Sequence, residues 1–248
     1  MGEVIAVLSG KGGTGKTSLC AGIAACLAKE GKRILCIDLD VGLRNLDIAL
    51  GMQEIPALAF TDVLSGECAL DAAARHPDFP TLSFLTAPVG LAPEDIAPGS
   101  FFQLLEQSAK SFDFCLVDAP AGLGAGFTLA ATRANRILVV TGGDPAALRD
   151  AERTSDTLEL MGKRFARLIV NRVRPELYEK ISLTVDDIMD GVGLPLLGIV
   201  PEDRNVTLAA AFGKPLVQYS RRGASAACRR IALRLLGQQV PIPKKPCK

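Results

Sequence analysis

A glycine-rich stretch near the start of the chain, residues 10–17 with the sequence G-K-G-G-T-G-K-T, constrains the fold more than any other feature. An apolar run at residues 4–8 precedes it, and a helical pattern at residues 18–29 follows it. This order of strand, loop and helix is the context in which the pattern G-x-x-x-x-G-K-[ST] binds phosphate. Glycines let the loop wrap an anion with its N–H groups, and the helix directs its positive dipole end at the same place. We therefore predict a phosphate-binding loop.

The side chains of this loop suit a nucleoside triphosphate with Mg²⁺. Lys16 is placed to reach the β- and γ-phosphate oxygens, and the Thr17 hydroxyl is placed to ligate Mg²⁺. A plain glycine-rich turn would require neither Lys16 followed by Thr17 nor the second lysine, Lys11. The other predicted phosphate contacts come from the rest of the loop and the first helical turn: Lys11, Gly12, Gly13, Thr14, Gly15 and Ser18.

Lys11 narrows the family. The run K-G-G-T-G-K-T resembles the deviant Walker A loop of the ParA/MinD family of P-loop ATPases, which dimerise face to face. The resemblance implies that Lys11 reaches across a homodimer interface to the partner's nucleotide. A cation offered in this way stabilises charge that develops on the γ-phosphoryl group, as an arginine finger does elsewhere. Hydrolysis of ATP to ADP and phosphate would then depend on association, with Lys11 and Lys16 both catalytic.

Composition limits the class of protein and its partners. The chain of 248 residues has a formal net charge of +1, so no global charge field favours nucleic acid, which is not an expected partner. The apolar residues occur in short runs, far below the roughly 20 needed to span a bilayer, and the N-terminus lacks a secretion signal pattern. We expect a cytoplasmic protein whose membrane contact, if any, is peripheral at the inner face of the cell membrane.

The cysteines and the single histidine are given no chemical role. His76 lies in a proline-flanked loop without a nearby cysteine or hydroxyl nucleophile. An odd, scattered set of cysteines without a C-x-x-C pair indicates buried small hydrophobes in a reducing compartment. This also counts against relatives that bridge an iron–sulfur cluster across their dimer. The cysteines are Cys20, Cys26, Cys36, Cys68, Cys115, Cys228 and Cys247.

Short apolar runs alternate with longer helical patterns, which indicates βαβ units. The predicted fold is a three-layer, doubly wound α/β fold with a mostly parallel sheet, a P-loop NTPase of the ParA/MinD type. Residues 1–237 form one ATPase domain, and residues 238–248 form a tail rich in proline and lysine. Ligands of such sheets lie beyond the carboxyl ends of the strands. The predicted strands cover residues 4–8, 33–37, 82–86, 114–117, 137–140, 167–170 and 196–199.

Acidic residues follow two of these strands. Asp38 and Asp40 can hold Mg²⁺ and water beside the phosphate loop, with Asp40 orienting a nucleophilic water. Alternatively, both carboxylates only cap the next turn. Asp118 ends the run 114–117 and suits a γ-phosphate sensor and Mg²⁺ ligand; the sequence D-A-P-A-G from Asp118 resembles the second block of the family. The glycines after it form either a switch loop or a plain flexible loop. The predicted metal set is Thr17, Asp38, Asp40 and Asp118.

Two further groups of residues are predicted to bind the nucleotide because they follow the sixth and seventh predicted strands. An amide side chain and a short proline-led loop can bind the edge of a purine, and the resemblance implies that these groups hold adenine. They comprise Asn171 and Arg172 after the sixth strand and Pro201, Glu202 and Asp203 after the seventh. The chain has no Trp and only two Tyr, so stacking on a large aromatic is not the expected recognition device.

The resemblance extends over nearly the whole chain and is nearest to the MinD branch of the family. It implies a Mg·ATP-dependent switch in division-site (septum) placement, which recruits a division inhibitor when ATP-bound and hydrolyses ATP when a stimulating partner docks. Arg149, Asp150 and Glu152, on a helix expected at residues 144–161, match the stretch where partners dock, although a solvated helix face explains them equally.

Rival functions remain open at this point. One is a ParA-like ATPase for DNA or cargo partitioning, using basic residues on phosphates, or an ATPase for flagellar placement. Another is a metabolic ATP-dependent ligase. The basic residues of the first rival would be Arg221, Arg222, Arg229 and Arg230.

The carboxyl terminus departs from the family, whose members end in a membrane-binding amphipathic helix. The last domain helix is expected at residues 224–236, with Ala227, Ile231 and Leu235 buried along one stripe and Gly237 ending it. Three prolines within residues 238–248 prevent a further helix. We expect only weak, salt-sensitive or partner-mediated membrane contact, and we expect deletion of residues 241–248 to leave ATP hydrolysis and dimerisation intact.

Overall fold

Eight strands pair into one sheet in the computed structural model, which describes residues 1–243. The order across the sheet is β3-β4-β2-β5-β1-β6-β7-β8, and all neighbours are parallel except β3 and β4. The strands are β1 (Glu3–Leu8), β2 (Ile34–Asp38), β3 (Ala74–Arg75), β4 (Leu82–Leu85), β5 (Phe114–Asp118), β6 (Arg136–Thr141), β7 (Ala166–Val173) and β8 (Leu196–Pro201).

Helices cover both faces of the sheet and make the three layers. One face packs against α4, α5, α6 and α8, and the other against α1, α2, α9, α10 and α11, which explains why the central strands are apolar on both sides. The helices are α1 (Lys16–Lys29), α2 (Leu46–Leu50), α3 (Phe60–Leu64), α4 (Pro98–Ser111), α5 (Ala125–Thr132), α6 (Pro145–Leu160), α7 (Pro175–Lys180), α8 (Val185–Val192), α9 (Asn205–Ala211), α10 (Leu216–Tyr219) and α11 (Gly223–Leu235).

The predicted fold class is confirmed, and each of the seven predicted strands is present with its ends shifted by a few residues. Strands β2 and β5 extend through Asp38 and Asp118, because the sheet ladder continues to pair these acids across the two strands. Strand β3 was not predicted; its two residues pair antiparallel with β4 at the sheet edge. Such a short strand has no room for a period-2 pattern.

Strand order places the predicted site at one edge. In the register of the parallel pairs, Asp118 lies opposite Asp38 on one side and opposite Val7 on the other. The loop that follows β1 is therefore flanked by the last residue of β5, and the last residue of β2 lies one strand farther away. Distant parts of the chain therefore meet at the carboxyl ends of the strands, the place where ligands of such sheets bind.

Helix α11 follows its expected pattern. Ala227, Ile231 and Leu235 are buried, and Gly237, two residues after the last residue of the helix, takes a φ of +81°. The segment that follows lies along the domain, since the Arg234 guanidinium donates to the carbonyl oxygens of Val240 and Pro241. Residues 244–248, and with them part of the predicted tail, lie outside the described residues. Within residues 1–243, no helix is long and apolar enough to cross a membrane.

Five of the cysteines are buried, as expected. Cys68 is partly exposed, and Cys247 lies outside the described residues. Burial raises the pKa of the buried thiols, so thiolates are disfavoured. The buried free cysteines are Cys20, Cys26, Cys36, Cys115 and Cys228. His76 is also buried; its ring nitrogens bond to the Leu50 carbonyl and the Asp78 N–H, which gives it a structural role.

Candidate nucleotide-binding site

The glycine-rich loop joins β1 to α1 in the conformation that its glycines permit. Gly13 and Gly15 have φ values of +79° and +86°, the left-handed region that side chains disfavour. A Cβ atom at Gly15 would lie 2.3 Å from the Asn171 amide nitrogen, so space also requires glycine there. No side chain caps the first turn of α1, and its N–H groups are left for a ligand.

Lys16 and Asp118 form a buried ion pair beneath this loop. The Lys16 Nζ atom lies 2.6 Å from Asp118 Oδ1, and the side chains are only 6% and 1% exposed. Burial raises the pKa of Asp118, and the charge of Lys16 partly offsets the effect. The second oxygen, Asp118 Oδ2, accepts no hydrogen bond from a described residue. The geometry thus brings together the two residues predicted to face the terminal phosphate.

Asp38 is engaged with its own loop. Its Oδ1 accepts the N–H of Asp40 at 2.9 Å and its Oδ2 accepts the N–H of Leu46 at 3.2 Å, so Asp38 caps the turn that follows β2. Burial, together with the nearby charge of Asp118, raises the pKa of Asp38 to about 7. Asp40 itself is half-buried.

The predicted metal ligands do not form a protein-only cage. Among residues 1–243, no group of three or more His, Cys, Asp or Glu side chains gathers as a metal site. Mg²⁺ in nucleotide sites is usually bound by one or two protein oxygens, with phosphates and waters completing the octahedron. The metal roles of Thr17, Asp38, Asp40 and Asp118 remain predictions, and a shared set of three carboxylates is not what the structure presents.

Lys11 contacts its own chain. Its Nζ atom lies 3.1 Å from Asp144 Oδ1, with both side chains about half-exposed. Asp144 also caps α6 by accepting the N–H of Ala147, and this hydrogen bond, followed by the hydrogen bond and the charge of Lys11, lowers the pKa of Asp144. The sequence indicated Asp144 only as the start of a helix; its pairing with Lys11, 133 positions away, left no local signal.

The same helix supports the loop at a second point. A Cβ atom at Gly10 would lie 2.3 Å from the carbonyl oxygen of Asp150, so the start of the loop packs directly on α6. Arg149 and Glu152 are exposed on this helix, and Asp150 is half-buried. Their predicted role in partner docking remains a prediction.

All five residues predicted to hold adenine line one pocket of about 700 Å³ beside the loop. Two of them differ from expectation in what their side chains do. The Asn171 Nδ2 donates to the Thr14 carbonyl at 2.7 Å, and the Arg172 guanidinium donates to the Gly13 carbonyl at 3.0 Å. Both therefore support the phosphate loop directly, and the Asn171 Oδ1 remains the group that could face a base.

The other lining residues have structural partners as well. Asp203 accepts the N–H groups of Asn205 and Ala224, which fixes the starts of α9 and α11, and Glu202 pairs with Arg174 at the pocket rim. Sequence reasoning missed the apolar and hydroxyl part of the lining, because such residues resemble ordinary core and helix positions. These residues are Leu19, Val200, Val206, Thr207, Leu216 and Ala224.

Several buried polar atoms at this edge are left without a partner, which fits a polar ligand. Within the described residues, the hydroxyls of Ser9 and Thr14 and the Oδ2 of Asp118 make no hydrogen bond. Unpaired buried polar groups are costly, and in native proteins they call for a ligand, ion or water. Together with the Lys16 ammonium and the N-terminus of α1, they fit a polyphosphate with Mg²⁺.

Comparison with known proteins also indicates a nucleotide-binding domain. Residues 5–216 match the sequence profile of the CobQ/CobB/MinD/ParA nucleotide binding domain. The septum site-determining protein MinD of Synechocystis sp. is 38% identical to the chain over 97% of its length, covering 92% of that relative. MinD of Bacillus subtilis is 35% identical over 98% of the chain and 91% of the relative.

Solved structures show the same similarity in three dimensions. The MinC:MinD cell division protein complex of Aquifex aeolicus matches with a TM-score of 0.90 at 36% identity, covering 98% of both chains. The MinD protein of Pyrococcus horikoshii complexed with Mg-ADP matches with a TM-score of 0.81 at 25% identity, covering 97% of this chain and all of that one. The chain therefore belongs to the MinD/ParA family of nucleotide-binding proteins.

Proposed function

We propose that this protein is a Mg·ATP-dependent ATPase that dimerises when ATP is bound and acts as a spatial switch in division-site placement. Residues 1–237 would act as the ATPase domain, with residues 238–248 as its tail. The main support is the contrast between two lysines of one loop. Lys16 is buried against Asp118, whereas Lys11 is half-exposed and pairs with Asp144 at the start of α6. The first serves the chain's own nucleotide, and the second is accessible to a partner.

The residues of the site supply binding and orientation. Lys16 would exchange the Asp118 carboxylate for phosphate oxygens, and Thr17 with Asp118 would hold the Mg²⁺. Bound Mg²⁺ neutralises the charge that develops on the transferred phosphoryl group. Asp40 orients the attacking water, while Asp38 keeps the loop that carries Asp40 in shape through its two backbone hydrogen bonds.

The weak ion pair between Lys11 and Asp144 would let Lys11 change partners when the protein dimerises. An ion pair between half-exposed groups contributes only about 0–1 kcal/mol, because solvent screens it. A partner's nucleotide offers several phosphate charges in a less hydrated interface, so Lys11 can leave Asp144 when two ATP-bound copies meet. Without a partner's nucleotide to bind, Lys11 keeps its ion pair with Asp144 at the start of α6.

The partners are proposed from the relatives. The Aquifex neighbour is a complex of MinC with MinD, which supports a division inhibitor as a partner of this chain. We place the docking surface for this inhibitor and for an ATPase-stimulating protein on α6 at Arg149, Asp150 and Glu152. Because α6 carries Asp144 and packs on Gly10, a protein bound there would act on the phosphate loop directly.

Analytical ultracentrifugation with nucleotide tests the switch. The wild-type chain should sediment as a dimer with ATP and Mg²⁺ and as a monomer with ADP and Mg²⁺, and released phosphate should show slow turnover. A chain that binds ATP yet stays monomeric, or a dimer indifferent to the nucleotide, would contradict the proposal.

Replacement of Asp40 by alanine tests the chemistry. The Asp40→Ala variant should bind ATP and dimerise but hydrolyse it at least about tenfold more slowly, since groups that orient or activate water typically contribute about 10²-fold or more. Single-turnover hydrolysis of labelled ATP measures this. Asp71→Ala, which changes an exposed carboxylate outside the site, is the control and should hydrolyse at the wild-type rate.

A further inference from the structure

The loop that carries Asp40 contains a strained residue. Arg44 has a φ of +46°, a left-handed conformation that an arginine rarely adopts. Asn45, the neighbour better suited to it, takes an ordinary φ of −116° instead. Strain of this kind persists only where the surroundings fix it, and it concentrates at functional sites.

Two contacts hold Arg44 in place, and the first connects it to Asp40. The N–H groups of Leu43 and Arg44 both donate to the Asp40 carbonyl, at 3.3 and 3.1 Å. The conformation of Arg44 and the backbone position of Asp40 are therefore set together.

The second contact connects Arg44 to the sheet. The Arg44 guanidinium donates to the Thr86 hydroxyl at 3.1 Å. Thr86 follows β4 and is 5% exposed; its N–H donates to the Leu58 carbonyl and its carbonyl accepts the N–H of Phe60, each at 2.9 Å. The backbone that carries this hydroxyl is thus held by hydrogen bonds on both sides.

The strand register brings Thr86 close to the site. Leu85 pairs with Ile37 in the parallel β2–β4 pair, so Thr86 comes one residue later, as Asp38 does on β2. The Arg44 side chain spans from the Asp40 loop back to this strand end. Removing the Thr86 hydroxyl would release the Arg44 side chain while leaving every residue of the phosphate loop untouched.

We propose that Arg44 is a positioning residue for Asp40, acting through the Thr86 hydroxyl. This inference rests on the proposed function, because Asp40 must orient the attacking water for its position to matter. Arg44 contributes no atom to the reaction; it sets where the Asp40 carboxylate lies. Loss of the contact between Arg44 and Thr86 should therefore lower the rate of ATP hydrolysis and leave the affinity for ATP unchanged.

The test is the Thr86→Val variant, which removes the acceptor and keeps the side-chain shape. Its single-turnover rate should fall about 10- to 100-fold, because a misplacement of about 1 Å can cost about 100-fold in rate, while its KM for ATP stays within about twofold. Thr86→Ser restores the hydroxyl and should restore the rate. Thr81→Val, at the other end of the same strand, is the matched control and should keep the wild-type rate and KM.

Substitutions of Arg44 and Thr86 should also have effects that do not add, because the two residues act through one contact. Arg44→Gly removes the guanidinium and relaxes the strained backbone, and it should lower turnover to a similar extent even where Thr86→Val does not fold. The Arg44→Gly/Thr86→Val double variant should be no slower than the slower single variant, since contacting residues are not additive. Wild-type turnover in Thr86→Val, or multiplied losses in the double variant, would overturn the inference. An inactive wild-type chain would instead overturn the proposed function.

Discussion

The two ends of the sheet differ in how their polar groups are partnered. At the amino ends of the strands, arginines meet acceptors of their own chain: Arg33 pairs with Asp113, Arg136 pairs with Glu3, and Arg234 donates to three carbonyls. At the carboxyl ends lie the buried Lys16–Asp118 pair, two arginines with positive φ, and buried oxygens that have no hydrogen-bond partner among residues 1–243, on Ser9, Thr14, Asp118 and Tyr178.

This difference separates stability from function within one sheet. The polar groups at the amino ends of the strands pair with each other within the chain. Their main contribution is therefore to the free energy of folding. The carboxyl-end groups are incompletely paired within the part of the chain that the structure describes, which costs stability unless a ligand completes them. Proteins retain such costly arrangements where binding or catalysis needs them. The comparison predicts that substitutions at the first end change unfolding and that substitutions at the second change nucleotide chemistry.

The largest effect is expected from the two lysines of the loop. Lys16→Ala should abolish ATP binding, because it removes the cation for the β- and γ-phosphates. Lys11→Ala should retain binding and lose ATP-dependent dimerisation, since its role is toward the partner's nucleotide. Fluorescent-nucleotide titration and sedimentation with ATP and Mg²⁺ measure both properties.

The two variants control each other, because they change the same residue type five positions apart. If Lys11→Ala dimerises and hydrolyses ATP normally, the assignment across the dimer is wrong. If Lys16→Ala binds ATP with wild-type affinity, the polar groups at the carboxyl ends do not form the nucleotide site.

The sequence was sufficient for the fold and the phosphate loop because both depend on local patterns. The runs in β1 and β5 are apolar and uninterrupted, and the G-x-x-x-x-G-K-[ST] spacing requires one particular loop geometry. The ends of strands were less predictable: Asp38 and Asp118 belong to the strands because they pair with each other across the sheet.

What the sequence could not show are contacts between remote positions. Lys11 and Asp144 are 133 positions apart, Asn171 and Thr14 are 157 apart, and Arg44 and Thr86 are 42 apart. No periodicity records such pairs, since tertiary packing alone decides which loops meet. The purine assignment of Asn171 shows the consequence: its place beside the nucleotide followed from topology, but its hydrogen bond to the phosphate loop did not.

The next effect concerns pH, and it should have opposite sign at the two ends. Asp38 has its pKa raised from 3.8 to about 7 by burial and by Asp118. Its contribution to stability is therefore full below about pH 4 and is lost as the pH rises through about 7. The wild-type free energy of unfolding, compared with that of Asp38→Asn, should fall by on the order of 2–4 kcal/mol between pH 4 and pH 8. Urea unfolding at several pH values measures it.

Asp113 at the amino ends is the matched control. Hydrogen bonds from the Arg33 backbone and side chain lower the pKa of Asp113, so its contribution is present above its unfolded pKa and is lost on acidification. Compared with Asp113→Asn, the wild type should therefore lose stability as the pH falls below about 4. Equal slopes for the two variants would break the distinction between the ends.

A smaller effect is expected at Arg234, which joins three parts of the amino-end region. Its guanidinium donates to the carbonyls of Leu197 in β8, of Val240 and of Pro241, at 2.8, 2.8 and 2.7 Å. Arg234→Ala should lower the free energy of unfolding by about 1–3 kcal/mol, the cost of leaving such acceptors unpaired, without changing ATP hydrolysis. Arg221→Ala, an exposed control, should stay within about 0.5 kcal/mol.

The tail can be tested by the same logic. Deleting residues 241–248 removes the Pro241 acceptor and Ile242, which packs against the core. We expect a loss of stability smaller than that of Arg234→Ala, because Arg234 keeps its bonds to Leu197 and Val240, and we expect hydrolysis and dimerisation to persist. Urea unfolding and phosphate release, measured on both variants at a temperature where each is folded, decide the matter. Turnover that falls in either variant would mean that the amino ends of the strands also shape the nucleotide site, and the separation of stability from function would then fail.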